Sequence, residues 1–281
     1  MNITKNPKFK PVMYTILSFI MGICILGCAL LATARFTVLN PDFYIDRLTK
    51  TDYYADLGDE ITESLVDIGN ASGIDESFFN NLVDDVTLRK DVENYITAFF
   101  SGESLKINTS EFQKTIRTAL DNYISRKSID PSTVSESSIN NFVKEATNIY
   151  VSNVQLKYFS QIQKSVLGYI PKVNILIFVT ALIAVAIALF IFFTNEWKHI
   201  AIRHIYYSTA SAGLFLLIIP AIVFLSGMIS KLTVLTRSLN DMYTAMLKAV
   251  FIVILVIAVL LIVISAALWI IHSSMRKKAS S

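Results

Sequence analysis

Four stretches of this chain carry no charged side chain over about 22 residues each: 12–34, 173–194, 206–228 and 249–271. At 1.5 Å of rise per residue each is long enough to cross roughly 30 Å of hydrocarbon as a helix. They account for a hydrophobic content of 53% and a mean hydropathy of +0.53, too apolar for an ordinary soluble domain. The sequence therefore predicts an all-α chain with four transmembrane helices in a lipid bilayer. A helical-bundle extracytoplasmic domain, 35–172, is inserted between the first and second spans.

The short loops set the orientation. Lys5, Lys8 and Lys10 precede the first span, Lys198 and Arg203 lie between the second and third, and Arg276, Lys277 and Lys278 follow the fourth. The expectation is a multi-pass protein of the cell membrane with both termini cytoplasmic. Residues 1–11, the turn 195–205 and the basic tail 272–281 are then inside, and 229–248 is outside. Trp197 and Trp269 both fall at the inner interface, where amphipathic rings anchor helices. The basic lead and Ile25-Leu26-Gly27-Cys28 suggest a cleavable lipoprotein signal. The apolar run continues through Ala29-Leu30-Leu31-Ala32, however, so an uncleaved anchor is expected.

A net charge of +3 conceals a split. Residues 36–171 hold 20 acidic and 12 basic side chains, whereas the rest hold 2 and 13. The basic part is explained by topology and does not point to nucleic acid. Cys24 and Cys28 are the only cysteines and sit in the first span, so the outer segment folds without a disulfide. That habit, with Ile-, Asn-, Lys- and Ser-rich usage, suggests a low-GC Gram-positive bacterium.

Within the outer segment the apolar residues recur at helical spacing. Tyr54, Leu57, Ile61, Leu65 and Ile68 form one stripe, and Leu88, Val92, Tyr95 and Phe99 a second. Phe112, Ile116, Leu120 and Ile124 form a third, and Ile139, Phe142, Val143, Ala146 and Tyr150 a fourth. Asn40-Pro41, Gly73 with Asp75, Ser101-Gly102, Thr109-Ser110 and Asp130-Pro131 punctuate them as caps and stops. Five or six helices in a small bundle are expected, the last feeding the second span with Pro171 as a bend. Leu232, Leu235, Leu239, Met242 and Met246 predict an amphipathic helix or a helix extension before the fourth span. Pro220, in the middle of the third span, is a candidate hinge.

The search for chemistry is mostly exclusion. The outer segment has no histidine, cysteine or tryptophan, which removes Ser–His–Asp and Cys–His nucleophiles and ordinary zinc sites there. The spans hold no ionisable Asp, Glu, Lys or Arg of the kind that proton relays and coupled carriers use. No cofactor motif is present. The one concentrated feature is acidic: between Thr51 and Leu88 there are ten carboxylates and no Lys or Arg. Asp52, Asp56, Asp59, Glu60, Glu63 and Asp67 occupy the face opposite the Tyr54–Ile68 stripe at 100° per residue. Such a row is most simply a solvated face. Its functional reading is a docking face for a cationic protein partner, or a loose site for a divalent cation, Ca²⁺ or Mg²⁺.

The stretch Phe36-Thr37-Val38-Leu39-Asn40-Pro41-Asp42-Phe43-Tyr44, the following Thr51-Asp52-Tyr53-Tyr54, and the run from Gly102 to Ser110 carry a resemblance. Together they resemble uncharacterised four-span membrane proteins of Firmicutes with a helical outer domain after the first span. The resemblance implies an architecture and supplies no catalytic residue. The expectation is a non-catalytic envelope protein for protein interaction, sensing or assembly. The alternative is a membrane subunit of a transporter or export complex, with Pro220 as a moving part.

Overall fold

The computed structural model describes residues 9–80, 82–129, 134–156, 159–231 and 236–280. All regular structure among them is helical: α1 (Phe9–Phe36), α2 (Pro41–Thr49), α3 (Tyr53–Ala71), α4 (Asp85–Ser101), α5 (Ser110–Arg126), α6 (Glu136–Val154), α7 (Phe159–Thr194), α8 (Lys198–Ser226) and α9 (Arg237–Ser280). Single 3-10 turns lie at Glu76–Phe78 and Ile229–Lys231. Of these, α1, α7, α8 and α9 hold stretches long and apolar enough to cross a membrane, which makes the chain a membrane protein by length and composition. The chain divides into two compact units: Met1–Asn40, Gly168–Leu232 and Met246–Ser281 form one, and Pro41–Leu167 with Thr233–Ala245 the other.

The first unit, called here the membrane unit, packs α1 closely on α8. Small residues permit the approach and hydroxyls fasten it. The Ser18 hydroxyl donates to the His204 carbonyl at 2.7 Å, and the Ser208 hydroxyl to the Ser18 carbonyl at 2.6 Å. A Cβ on Gly22 would stand 3.2 Å from Ser211 Oγ. At Gly213, where α8 meets α9, a Cβ would be 3.0 Å from Ile262 Cγ1 and 3.1 Å from the Ala258 carbonyl. Large apolar side chains such as Phe19, Phe215 and Ile222 point outward and are exposed. That inverted pattern suits a hydrocarbon surround, where packing of small residues and interhelical hydrogen bonds hold helices together.

The turn between the second and third spans is shorter than the sequence suggests. It comprises Asn195, Glu196 and Trp197 only, and α8 begins at Lys198, so His199 and His204 are helical. The reason is local: the Lys198 ammonium donates to the carbonyls of Phe192 (2.8 Å) and Asn195 (3.2 Å), satisfying the end of α7. Ala201 and Ile202 continue the buried face of α8 beyond the predicted boundary. At its other end α8 stops at Ser226 because Gly227 takes the left-handed conformation (φ +61°). Pro171 lies inside α7 and Pro220 inside α8; neither breaks its helix. Trp197 and Trp269 are both exposed.

The second unit, the polar unit, is built on the predicted stripes. Leu57, Ile61 and Leu65 of α3, Leu88, Val92 and Phe99 of α4, Ile116 and Leu120 of α5, and Ala146 and Tyr150 of α6 are buried. Phe112 stacks on Tyr150 with ring centroids 4.2 Å apart. Gly69 leaves room for the buried Phe79, whose Cζ would lie 2.1 Å from an added Cβ. Gly102 ends α4 in the left-handed conformation (φ +80°), and the Gln163 amide then donates to the carbonyls of Ala98 and Phe99.

One predicted cap differs. Asp75 precedes a 3-10 turn, but its carboxylate makes no cap; it accepts from the Tyr123 hydroxyl (2.9 Å) and pairs with Lys127 (2.6 Å). Asp130 and Pro131, read as a helix start, lie outside the described residues; α6 is capped by Ser135, whose Oγ accepts from the Ser138 amide. Leu232 and Leu235 of the expected amphipathic segment also lie outside. Its remainder is an extension of α9 and not a separate helix, with Met242 buried. At 44 residues, α9 spans about 66 Å, twice the thickness of the hydrocarbon core, so its polar first turns (237–248) stand clear of the apolar stretch.

Candidate functional site

The acidic face of α3 comprises two i,i+4 ladders, Asp52-Asp56-Glu60 and Asp59-Glu63-Asp67. Like charges at this spacing cost a few tenths of a kcal/mol per pair in an isolated helix. No basic residue of α3 offsets them, and the structure resolves the two ladders differently.

The first ladder leans on the start of α9, within the polar unit. Glu60 presents one carboxylate oxygen to the Ser238 backbone amide (2.9 Å) and the other to the Ser238 hydroxyl (2.7 Å). It thereby supplies the acceptor that a free helix N-terminus lacks, at the end where the helix dipole favours negative charge. Arg237 lies 3.3 Å from Asp56, whose side chain is largely buried. Asp241, one turn further along α9, faces the same pair. Burial, then the Asp56 charge and its hydrogen bond, hold the Asp241 carboxyl above the ordinary carboxylate range. Protonation of Asp241 therefore relieves its charge beside Asp56.

The second ladder is open. Asp59, Glu63 and Asp67 are exposed, and among the described residues none has a hydrogen bond or ion pair from its side chain. Asp52 is exposed as well; it stands at the N-cap of α3 without a side-chain cap bond. Beside Asp59 a groove of about 840 Å³ runs between α3 and the start of α4, floored by Gly58 and flanked by Asp84, Asp85 and the exposed Val86. Asp84 caps α4, accepting from the amide and hydroxyl of Thr87, both at 2.8 Å, and these bonds hold its carboxyl below the usual range. The open ladder and the groove thus form one anionic surface.

Among the described residues no three Asp, Glu, His or Cys side chains converge as cation ligands would. The surface is a broad field, suited to several separated positive charges. The histidines are used internally in part: His272 Nδ1 donates to the His199 carbonyl at 2.6 Å, and the His204 ring packs beside Tyr14. Sequence reading located all six acidic residues but missed that Asp56 and Glu60 are committed to α9, nearly two hundred residues away. The Thr236-Arg237-Ser238 helix start was the visible signal, but it does not name its acceptor. No protein-family profile, curated protein or solved structure matches this chain.

Proposed function

We propose that the chain is a non-catalytic, multi-pass protein of a Gram-positive cell membrane, related to the four-span Firmicutes proteins it resembles. Both termini are cytoplasmic and the polar unit is extracytoplasmic, as the lysines and arginines of the short loops require. The polar unit docks a cationic segment of a protein partner on Asp59, Glu63 and Asp67, with Asp52 and the α3–α4 groove extending the contact. One observation carries this reading: the start of α9 engages Asp56 and Glu60 of the first ladder, and Asp59, Glu63 and Asp67 are left without a cation among the described residues. A fold that supplies Arg237 and a helix N-terminus to Asp56 and Glu60 has a means of relieving like charge, and does not use it on the second ladder. The open carboxylates steer a basic partner at long range and are screened by salt.

The test is crosslinking of the full-length protein in its native membrane. A partner captured at low salt and lost at high salt is expected, and Asp59→Asn, Glu63→Gln and Asp67→Asn together abolish its capture. Asp56→Asn with Glu60→Gln, which loosens the α9 contact, leaves capture in place. Unchanged recovery with the triple variant defeats the docking assignment.

A further inference from the structure

Three contacts mark one end of the membrane unit. The Tyr14 hydroxyl of α1 donates to the Thr194 carbonyl at the end of α7 (3.1 Å), Lys10 lies 3.6 Å from Glu196, and His272 near the end of α9 binds the His199 carbonyl. This end carries Lys10, Lys198, Arg203, Arg276 and Lys277, against Glu196 as the only acidic side chain of the unit among the described residues. Two of these five charges have an identifiable task. Lys10 is paired, and Lys198 closes the carbonyls of α7.

Arg203 is distinguished by lining a cleft. It is exposed, and among the described residues its guanidinium has neither a hydrogen bond nor an ion pair. It stands at the shared edge of two clefts beside α1. One is about 490 Å³ and includes Thr15, Tyr207 and Ser211; the other is about 250 Å³ and includes Tyr14 and Trp197. Arg203 is five residues beyond Lys198, about 7.5 Å along the helix. At that depth the exposed Trp197 and Tyr207 rings flank it, as amphipathic rings do at headgroup level. Two hydroxyls at the rim of the larger cleft have used their hydrogens already. Thr15 Oγ1 donates to the Pro11 carbonyl (2.9 Å) and Ser211 Oγ to the Ser208 carbonyl (3.0 Å), so toward the cleft both can only accept.

We propose that the cleft between α1 and α8 binds an anionic phospholipid with a hydroxylated headgroup, the Arg203 guanidinium holding its phosphodiester and Thr15 and Ser211 accepting from the headgroup hydroxyls. A guanidinium offers a phosphate two parallel donors. Basic pockets between spans bind acidic headgroups for the same reason. A polyol headgroup such as glycerol can donate to the Thr15 and Ser211 oxygens, whereas choline has no donor to offer them.

The experiment uses the purified full-length protein in neutral detergent, titrated with dioleoyl phosphatidylglycerol, phosphatidylcholine or phosphatidic acid. Retained lipid is counted by native mass spectrometry, and melting temperature is recorded alongside. Phosphatidylglycerol binds at least about tenfold more tightly than phosphatidylcholine, and Arg203→Gln removes about tenfold of that affinity. Arg203→Lys loses less, and Arg276→Gln with Lys277→Gln leaves binding unchanged. Thr15→Val, at an exposed position, weakens phosphatidylglycerol severalfold and phosphatidic acid hardly at all, which provides a reading even if the Arg203 variants fold poorly. Equal phosphatidylglycerol binding by wild type and Arg203→Gln overturns the assignment. So does an equal loss from the tail variant, or stabilisation by inorganic phosphate as large as that by phosphatidylglycerol.

Discussion

The two units are packed by opposite rules. In the polar unit the interior is large and apolar, with Tyr53, Phe79, Leu88, Ile96 and Tyr150 almost wholly buried, and no carboxylate is among its buried residues. In the membrane unit Ser18, Gly22 and Ser208 bring α1 and α8 close, with Met21 and Leu216 buried as well, while Phe19, Phe215 and Leu225 look outward. The difference teaches what each unit is folding against. Where water surrounds the helices, removing large apolar surface drives association. Where hydrocarbon surrounds them, apolar area gains little by being buried, and close approach with hydroxyl-to-carbonyl bonds takes over.

If that contrast is right, the largest penalty comes from emptying the polar unit's interior. Leu88→Ala, at a fully buried position, costs about 3 kcal/mol, read as a loss of melting temperature of the full-length protein by near-ultraviolet circular dichroism. A loss below about 1 kcal/mol would mean that the unit is loosely packed and that the comparison fails on this side.

The membrane unit answers instead to added volume. Gly213→Val forces a side chain against Ile262 and the Ala258 carbonyl and costs about 1–3 kcal/mol. Gly27→Val, where no atom lies within 4 Å of the added Cβ, is tolerated. Equal melting temperatures for the two variants in the same detergent would break the small-residue account.

The smallest effect is electrostatic and belongs to the polar unit alone. The Asp84 carboxyl is held below its ordinary range by the Thr87 amide, then by the Thr87 hydroxyl. Its folded value is depressed, so its contribution is complete above the unfolded value of about 4 and is lost as pH falls through the lower folded one. Asp241 has the opposite sign: protonation relieves it beside Asp56, so the α9 contact tightens as pH falls through its raised value. Melting between neutral pH and about pH 3 separates the two. Asp84→Asn, which keeps a capping oxygen, flattens the acid-side fall, whereas Asp241→Asn flattens the gain that precedes it.

How much of this was legible in the sequence follows from the range of each interaction. The four spans and the buried stripes are local, carried by residues three or four apart, and Leu57, Ile61 and Leu65 face inward as read. The short Asn195–Trp197 turn was missed because a long apolar helix start with His199 and Arg203 looks like a polar loop until Lys198 is seen closing α7. The division of the acidic face could not be read at all. Asp56 and Asp59 are chemically alike, and only the distant first turn of α9 distinguishes them. The open cleft at Arg203 was hidden similarly, since positive charge near a span reads as topology alone.

Glu60 and Ser238 are 178 positions apart, and this imposes an order on the birth of the molecule. A chain made from its N-terminus at about 5–20 residues per second emits α3 roughly 10–35 seconds before the turn that caps it can exist. During that interval Asp56 and Glu60 face solvent as a bare pair of anions, and the polar unit is one piece short. Its final piece emerges only once the third apolar helix has been synthesised, so a nascent chain halted before residue 237 would display an unfinished helix face that the completed chain conceals.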